Sequence, residues 1–132
     1  MNESEQLVHL LGTLPVEVRV EGLTFKLGYV SMRTRGRIHS LFGGGDGIDG
    51  YDAAIKAMQN LDDTEGQVRG LASFAVGLSK NFDELPPLDD VVNVLADARE
   101  GDVVNLMEKI GGLIIASMEK ELPENSKKKE TQ

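Results

Sequence analysis

Residues 16–27, VEVRVEGLTFKL, contain two short runs in which apolar and polar side chains alternate. Val16, Val18 and Val20 are interleaved with Glu17 and Arg19; Leu23, Phe25 and Leu27 are interleaved with Thr24 and Lys26. A strand sends successive side chains to opposite faces, so this period predicts two half-buried strands. Glu21-Gly22 separates them, and glycine supplies the positive φ that a tight hairpin turn requires. An isolated two-stranded hairpin is marginal in water, so its apolar face must be laid on something else.

The remaining chain supplies helices for that purpose. Ser31 is placed to cap a helix running to about Phe42, with Ile38, Leu41 and Phe42 at its apolar end. The stretch Gly43 to Gly50 (GGGDGIDG) stops it, and Tyr51 to Leu61 resumes helical spacing through Ala54, Ile55 and Met58. Asp62 or Asp63 opens the next segment, where Thr64 and Gln67 have capping-box spacing. Its stripe reads Val68, Leu71, Ala72, Ala75, Leu78 and Phe82. Pro86-Pro87 interrupts, and Asp89 restarts the pattern with Val91, Val92, Leu95 and Ala98. Gly101-Asp102 reads as a turn before the most apolar helix, which holds Val103, Leu106, Met107, Ile110, Leu113, Ile114, Ile115 and Met118. A further short helix is expected at residues 4–12, with Leu7, Leu10 and Leu11 on one side. Residues 123–132 (PENSKKKETQ) lack apolar side chains and read as a disordered polar tail. The expectation is one mainly α domain over residues 1–122: a bundle of about five helices with a small N-terminal hairpin at 16–28.

Composition fits this. With no Trp, two Tyr and four Phe, the core must come largely from Val, Leu, Ile, Ala and Met. The absence of Cys excludes disulfides and thiolate metal sites. No apolar run approaches the roughly 18 residues of a membrane span, and Met1 to Gln6 is polar and acidic, unlike a signal peptide. The chain therefore reads as cytoplasmic. Its formal net charge is −8, most of it carried by residues 51–132, which opposes binding to nucleic acid.

No catalytic constellation can be assembled, and no cofactor is implied. Gly45-Asp46-Gly47-Ile48-Asp49-Gly50 satisfies G-x-G-x-x-G, but a helix rather than a strand precedes it, and its two Asp residues would repel phosphate. Residues 44–52 also match one calcium-binding β-roll nonapeptide, a unit that needs stacked copies; a plain connector explains the loop better. His39-Ser40 are helix neighbours about 100° apart and cannot form a base–nucleophile pair. Asp62-Asp63 and Asp89-Asp90 sit where helices begin, which the helix dipole explains. Arg33, Arg35 and Arg37 form the basic cluster: a solvated surface pairing with nearby acids, or a contact for an acidic partner segment. Gly66, Gly70, Gly77, Gly111 and Gly112 fall within helical patterns and together forgo about 4 to 5 kcal/mol of helix propensity. Close helix–helix approach and a deliberately soft bundle are both consistent with them.

The order of elements resembles the tail assembly chaperones of long-tailed bacteriophages. The similarity runs over roughly residues 16–122: the hairpin, a short helix opened by Ser31, a variable connector, the DTEGQVRGLASFAVGLSKNF helix, a Pro-marked break, and two more helices before a polar tail. The resemblance implies a non-enzymatic protein of the bacterial host cytoplasm. It would bind the helical tape-measure protein, with the tail-tube protein as a further candidate partner, keeping the former soluble until the tube polymerises around it. An acidic cytosolic secretion chaperone or adaptor, and a small divalent-metal enzyme using the Asp-rich loop 43–52, stay open as alternatives.

The last helix carries more apolar circumference than one buried stripe uses. Met107, Ile110, Ile114, Ile115 and Met118 are the candidate partner-binding residues, by helix-in-groove docking or self-association, with Tyr29 and Met32 as a second patch. Flexible methionine thioethers adapt readily to varied partners.

Overall fold

The computed structural model describes residues 16–43 and 49–119. The expected helix at 4–12, the centre of the glycine-rich loop and the tail at 123–132 lie outside these. Strands β1 (Val16–Val20) and β2 (Leu23–Leu27) form an antiparallel pair in which Val18 faces Phe25 and Val20 faces Leu23. Both turn residues take positive φ, 46° at Glu21 and 86° at Gly22, the type I′ pattern whose twist matches the strands. Val18, Val20, Phe25 and Leu27 are buried while Glu17, Arg19 and Lys26 are exposed, as the alternation requires.

Five α-helices follow among the described residues, so the protein is mainly helical with a small N-terminal hairpin: α1 (Met32–Phe42), α2 (Gly50–Gln59), α3 (Thr64–Leu78), α4 (Leu88–Asp97) and α5 (Glu100–Glu119). A 3₁₀ turn, Phe82–Glu84, lies between α3 and α4. Helix α3 is the hub: α1, α2, α4, α5 and β2 all pack on it. Its residues 70–78 are buried all round, which is why a single stripe understated its burial.

The chain leaving α3 then runs along β2. Gly28 N donates to Leu78 O at 2.9 Å, and Lys80 N donates to Lys26 O at 2.8 Å. Asn81 closes the row, accepting from Lys26 N at 3.1 Å and donating to Thr24 O at 2.9 Å. These bonds cover the β2 edge that a bare hairpin would expose. Helix α5 packs on β1 from the other side. Phe82, expected on the α3 stripe, instead lies beyond the helix end and is 38% exposed.

The helix starts carry their own chemistry. At α1, Ser31 Oγ accepts from Thr34 N at 3.2 Å while Thr34 Oγ1 accepts from Ser31 N at 2.7 Å, a reciprocal capping box. The box expected at Thr64 and Gln67 does not form. Asp63 caps α3 by accepting from Gly66 N at 3.0 Å, and Gln67 Nε2 donates to Met58 O at 2.9 Å, tying α3 to α2. The turn expected at Gly101-Asp102 falls earlier, at Ala98-Arg99, and both residues lie in the first turn of α5.

Two of the helical glycines are explained by packing. A Cβ at Gly70 would sit 2.8 Å from Ala54 O, and one at Gly77 would sit 2.5 Å from Ile38 Cγ1. Close approach, not softness, accounts for this pair. Among the described residues nothing lies within 4 Å of a Cβ built at Gly111 or Gly112, so their packing explains neither.

Candidate protein-binding surface

At about 100° per residue, the Val, Leu, Ile and Met side chains of α5 from Val103 to Met118 sweep roughly 200° of its circumference. One edge of this arc, Leu106, Ile110 and Leu113, is buried. Ile110 is therefore a core residue at 0% exposure, which removes it from the candidate binding residues. Burial decreases around the helix. Met107, Gly111 and Ile114 are half-buried, while Val104, Ile115 and Met118 are 42%, 56% and 60% exposed. A globular helix normally turns its apolar stripe inward, and among the described residues the far half of this arc is left uncovered.

That half faces a second apolar wall. Ile55 and Met58 of α2, with Gln59 beside them, stand opposite Met107, Gly111, Ile114 and Ile115 of α5 across a groove of about 300 Å³ that, among the described residues, no charged side chain lines. Met107, Ile114 and Ile115 thus come together as expected from sequence, and Ile55 and Met58 are additions. They stood on a different helix at a distant position, and periodicity assigned them simply to the buried face of α2.

The second expected patch is joined to the first. Val30 N donates to Ser117 Oγ at 3.0 Å, and that hydroxyl donates to Leu113 O at 2.8 Å. The linker from Tyr29 to Met32 is thereby held beside the last turns of α5, where Met118 is exposed. Tyr29 is half-buried, whereas Met32 is 85% exposed at the first position of α1. Val104 belongs to the same uncovered arc and was missed because valine at a helix position reads as core.

Charged side chains around the glycine-rich loop form a different kind of cluster. Arg35 Nη2 lies 2.8 Å from Asp49 Oδ2 and 3.9 Å from Asp52 Oδ1, and its guanidinium stacks 4.4 Å from the Tyr51 ring centroid. Asp49 Oδ1 accepts from Tyr51 N at 3.0 Å, capping α2. Gly50 N donates to His39 Nδ1 at 2.7 Å, tying the start of α2 back to α1. The hydrogen bond from Arg35, reinforced by the Tyr51 amide, holds the Asp49 carboxyl below its usual range. The same bond raises the Arg35 pKa, and burial raises that of Tyr51. Both Asp49 oxygens are thus committed to closing the α1–α2 connection. Among the described residues no three His, Asp or Glu side chains are grouped to hold a metal ion.

The basic cluster was expected as a solvated surface pairing with nearby acids; Arg35 does pair with Asp49 and Asp52, whereas Arg37 is held by backbone carbonyls and a ring. Arg37 Nη1 donates to Gly77 O at 3.2 Å with its guanidinium 4.0 Å above the Phe82 ring centroid. Among the described residues no helix is long and apolar enough to cross a membrane. Set against models of known families, curated proteins and solved structures, the chain matches none.

Proposed function

We propose that the protein is a tail assembly chaperone of a long-tailed bacteriophage, and that it docks an amphipathic helix of the tape-measure protein on the uncovered arc of α5. The observation that carries this reading is the uncharged α2–α5 groove, continuous with exposed Ile115 and Met118 and with Met32 nearby. A helix laid there would insert its apolar face between Met58 and Ile115 while its polar face stayed in water. Gly111 in the groove floor permits close backbone approach, and the methionines adapt to a long, varied partner. A binder whose task ends when the tube polymerises needs reversible contacts of this kind. The arrangement of elements along the sequence supplies the phage assignment.

The test is co-expression with the tape-measure protein of the same phage, with Ile115→Asp as the probe. Ile115 is mostly exposed, so the variant should keep its helical circular dichroism yet lose co-purification of the tape-measure protein. A folded variant that still keeps its partner soluble would move the binding face away from α5.

A further inference from the structure

A second hollow, of about 380 Å³, opens where the β2–α1 linker, the first turns of α1 and the segment after α3 meet. Its charged lining residues are all basic: Arg33 and Arg37 from α1, and Lys80 from the opposite wall. Among the described residues no acidic side chain lines it, although acids outnumber bases by 22 to 14 in the chain. The nearby hollow over the hairpin, by contrast, mixes Glu17 and Glu84 with Arg19 and Lys26. Among the described residues, none of the three cations lies in an ion pair with a carboxylate.

One of the three cations is held in place, and the stem of another packs on the backbone. Arg37 is fixed by the Gly77 carbonyl and the Phe82 ring, which leaves its other N–H donors for a ligand. The stem of Lys80 lies against Gly28, where a Cβ would come within 3.1 Å of Lys80 Cε. A side chain at position 28 would therefore displace the lysine. Charges already ordered lose less freedom when a ligand arrives.

We propose that this hollow binds the carboxylates of an acidic, amphipathic helical peptide. Arg33 and Arg37 stand one helical turn apart, about 6 Å along the axis, the spacing of two acids at i and i+4 on a facing helix. Tyr29, Leu78 and Phe82 add apolar walls that a bare phosphate would not use, and exposed Met32 adjoins them in sequence. The net charge of −8 opposes a nucleic acid at long range, whereas a peptide with a few acids on one face suits a local basic hollow. The inference rests on the protein-binding reading above and adds the chemistry of the partner: apolar for α5, acidic for this site.

The test uses two fluorescent helical peptides, one with Glu at i and i+4 among leucines and one with both Glu replaced by Gln. Wild type should bind the Glu peptide about tenfold more tightly at low salt. That preference should vanish at high salt and in the double variant Arg33→Glu/Lys80→Glu, both of whose side chains are exposed. Equal affinity for the two peptides, or a preference that survives the double variant, overturns the proposal. So does a wild type that self-associates and becomes monomeric on that charge reversal, because the occupant is then the acidic surface of a second copy. Ile115→Asp separates the two readings. If it weakens both peptides while wild type shows no Glu preference, the α5 surface stands and the basic site fails. If it leaves both unaffected while the Glu preference persists in wild type and is lost in the double variant, the basic site stands and the α5 surface fails.

Discussion

Asp49 does structural work that its place in a glycine-rich loop conceals. Its carboxylate caps α2 through the Tyr51 amide, pairs with Arg35, and lies 3.3 Å from His39 Nδ1. An Asn can still cap a helix, so Asp49→Asn removes the charge while keeping most of the cap. Because the folded-state pKa of Asp49 is depressed, its charge stabilises the fold at pH values above the unfolded carboxylate value near 4. The contribution decreases as pH falls through the lower folded-state value and is absent below it. Asp49→Asn should therefore melt below wild type at neutral pH, and the gap should close as pH falls below the folded-state value of Asp49. A gap that stayed constant across this range would assign the loss to packing or capping instead of charge. A neutral Asp49→Asn at pH 7 would show that the exposed ion pair contributes nothing measurable, as many do not.

Helix packing divides the glycines into two groups with opposite expected responses. Gly77→Ala drives a methyl into fully buried Ile38, an overpacking that typically costs about 1 to 3 kcal/mol and outweighs the roughly 1 kcal/mol of helix propensity gained. Gly111→Ala meets nothing, so thermal unfolding should show it more stable than wild type by up to about 1 kcal/mol. If Gly111 serves a partner, the same substitution should weaken tape-measure binding while raising the melting temperature. The elements themselves were largely legible. The hairpin declares itself through strict alternation, and α1 through Ser31. Boundaries were less so: Asp63 displaced the Thr64–Gln67 box because its carboxylate reaches the Gly66 amide, and α5 takes Gly101-Asp102 into its first turn. The surface was half legible. Periodicity marked α5 as too apolar all round, but which edge of the arc is covered depends on where β1 and α3 lie, so Ile110 and Ile115 looked alike. The hollow around Arg37 was hidden for the same reason, since Lys80 and Phe82 come from a segment that only the fold brings beside α1.

The whole molecule sets an uncovered apolar arc on α5 against a net charge of −8. Copies that meet through that arc gain apolar burial at roughly 25 cal/mol per Å², while their like charges repel over a range set by salt. At low ionic strength the repulsion extends tens of ångströms and should keep the protein monomeric at neutral pH. Raising salt shortens the screening length to about 3 Å at 1 M without weakening apolar contact, so self-association should increase with salt. Lowering pH towards the sequence pI of about 4.7 should act in the same direction by removing the net charge. Light scattering after gel filtration would measure both trends. Ile115→Asp inserts a carboxylate into the contact and should remain monomeric at high salt, whereas Arg33→Glu/Lys80→Glu leaves the arc intact but makes the net charge four units more negative than −8, so it should still associate, at a higher salt concentration than wild type. Salt-driven association that persisted in Ile115→Asp would place the sticky surface elsewhere, with exposed Leu61 and Phe82 as the next side chains to substitute. Association that instead weakened with salt would mean that copies pair through opposite charges, and the acidic side chains of α4, Asp89, Asp90 and Asp97, would then be competing with a partner for the basic hollow.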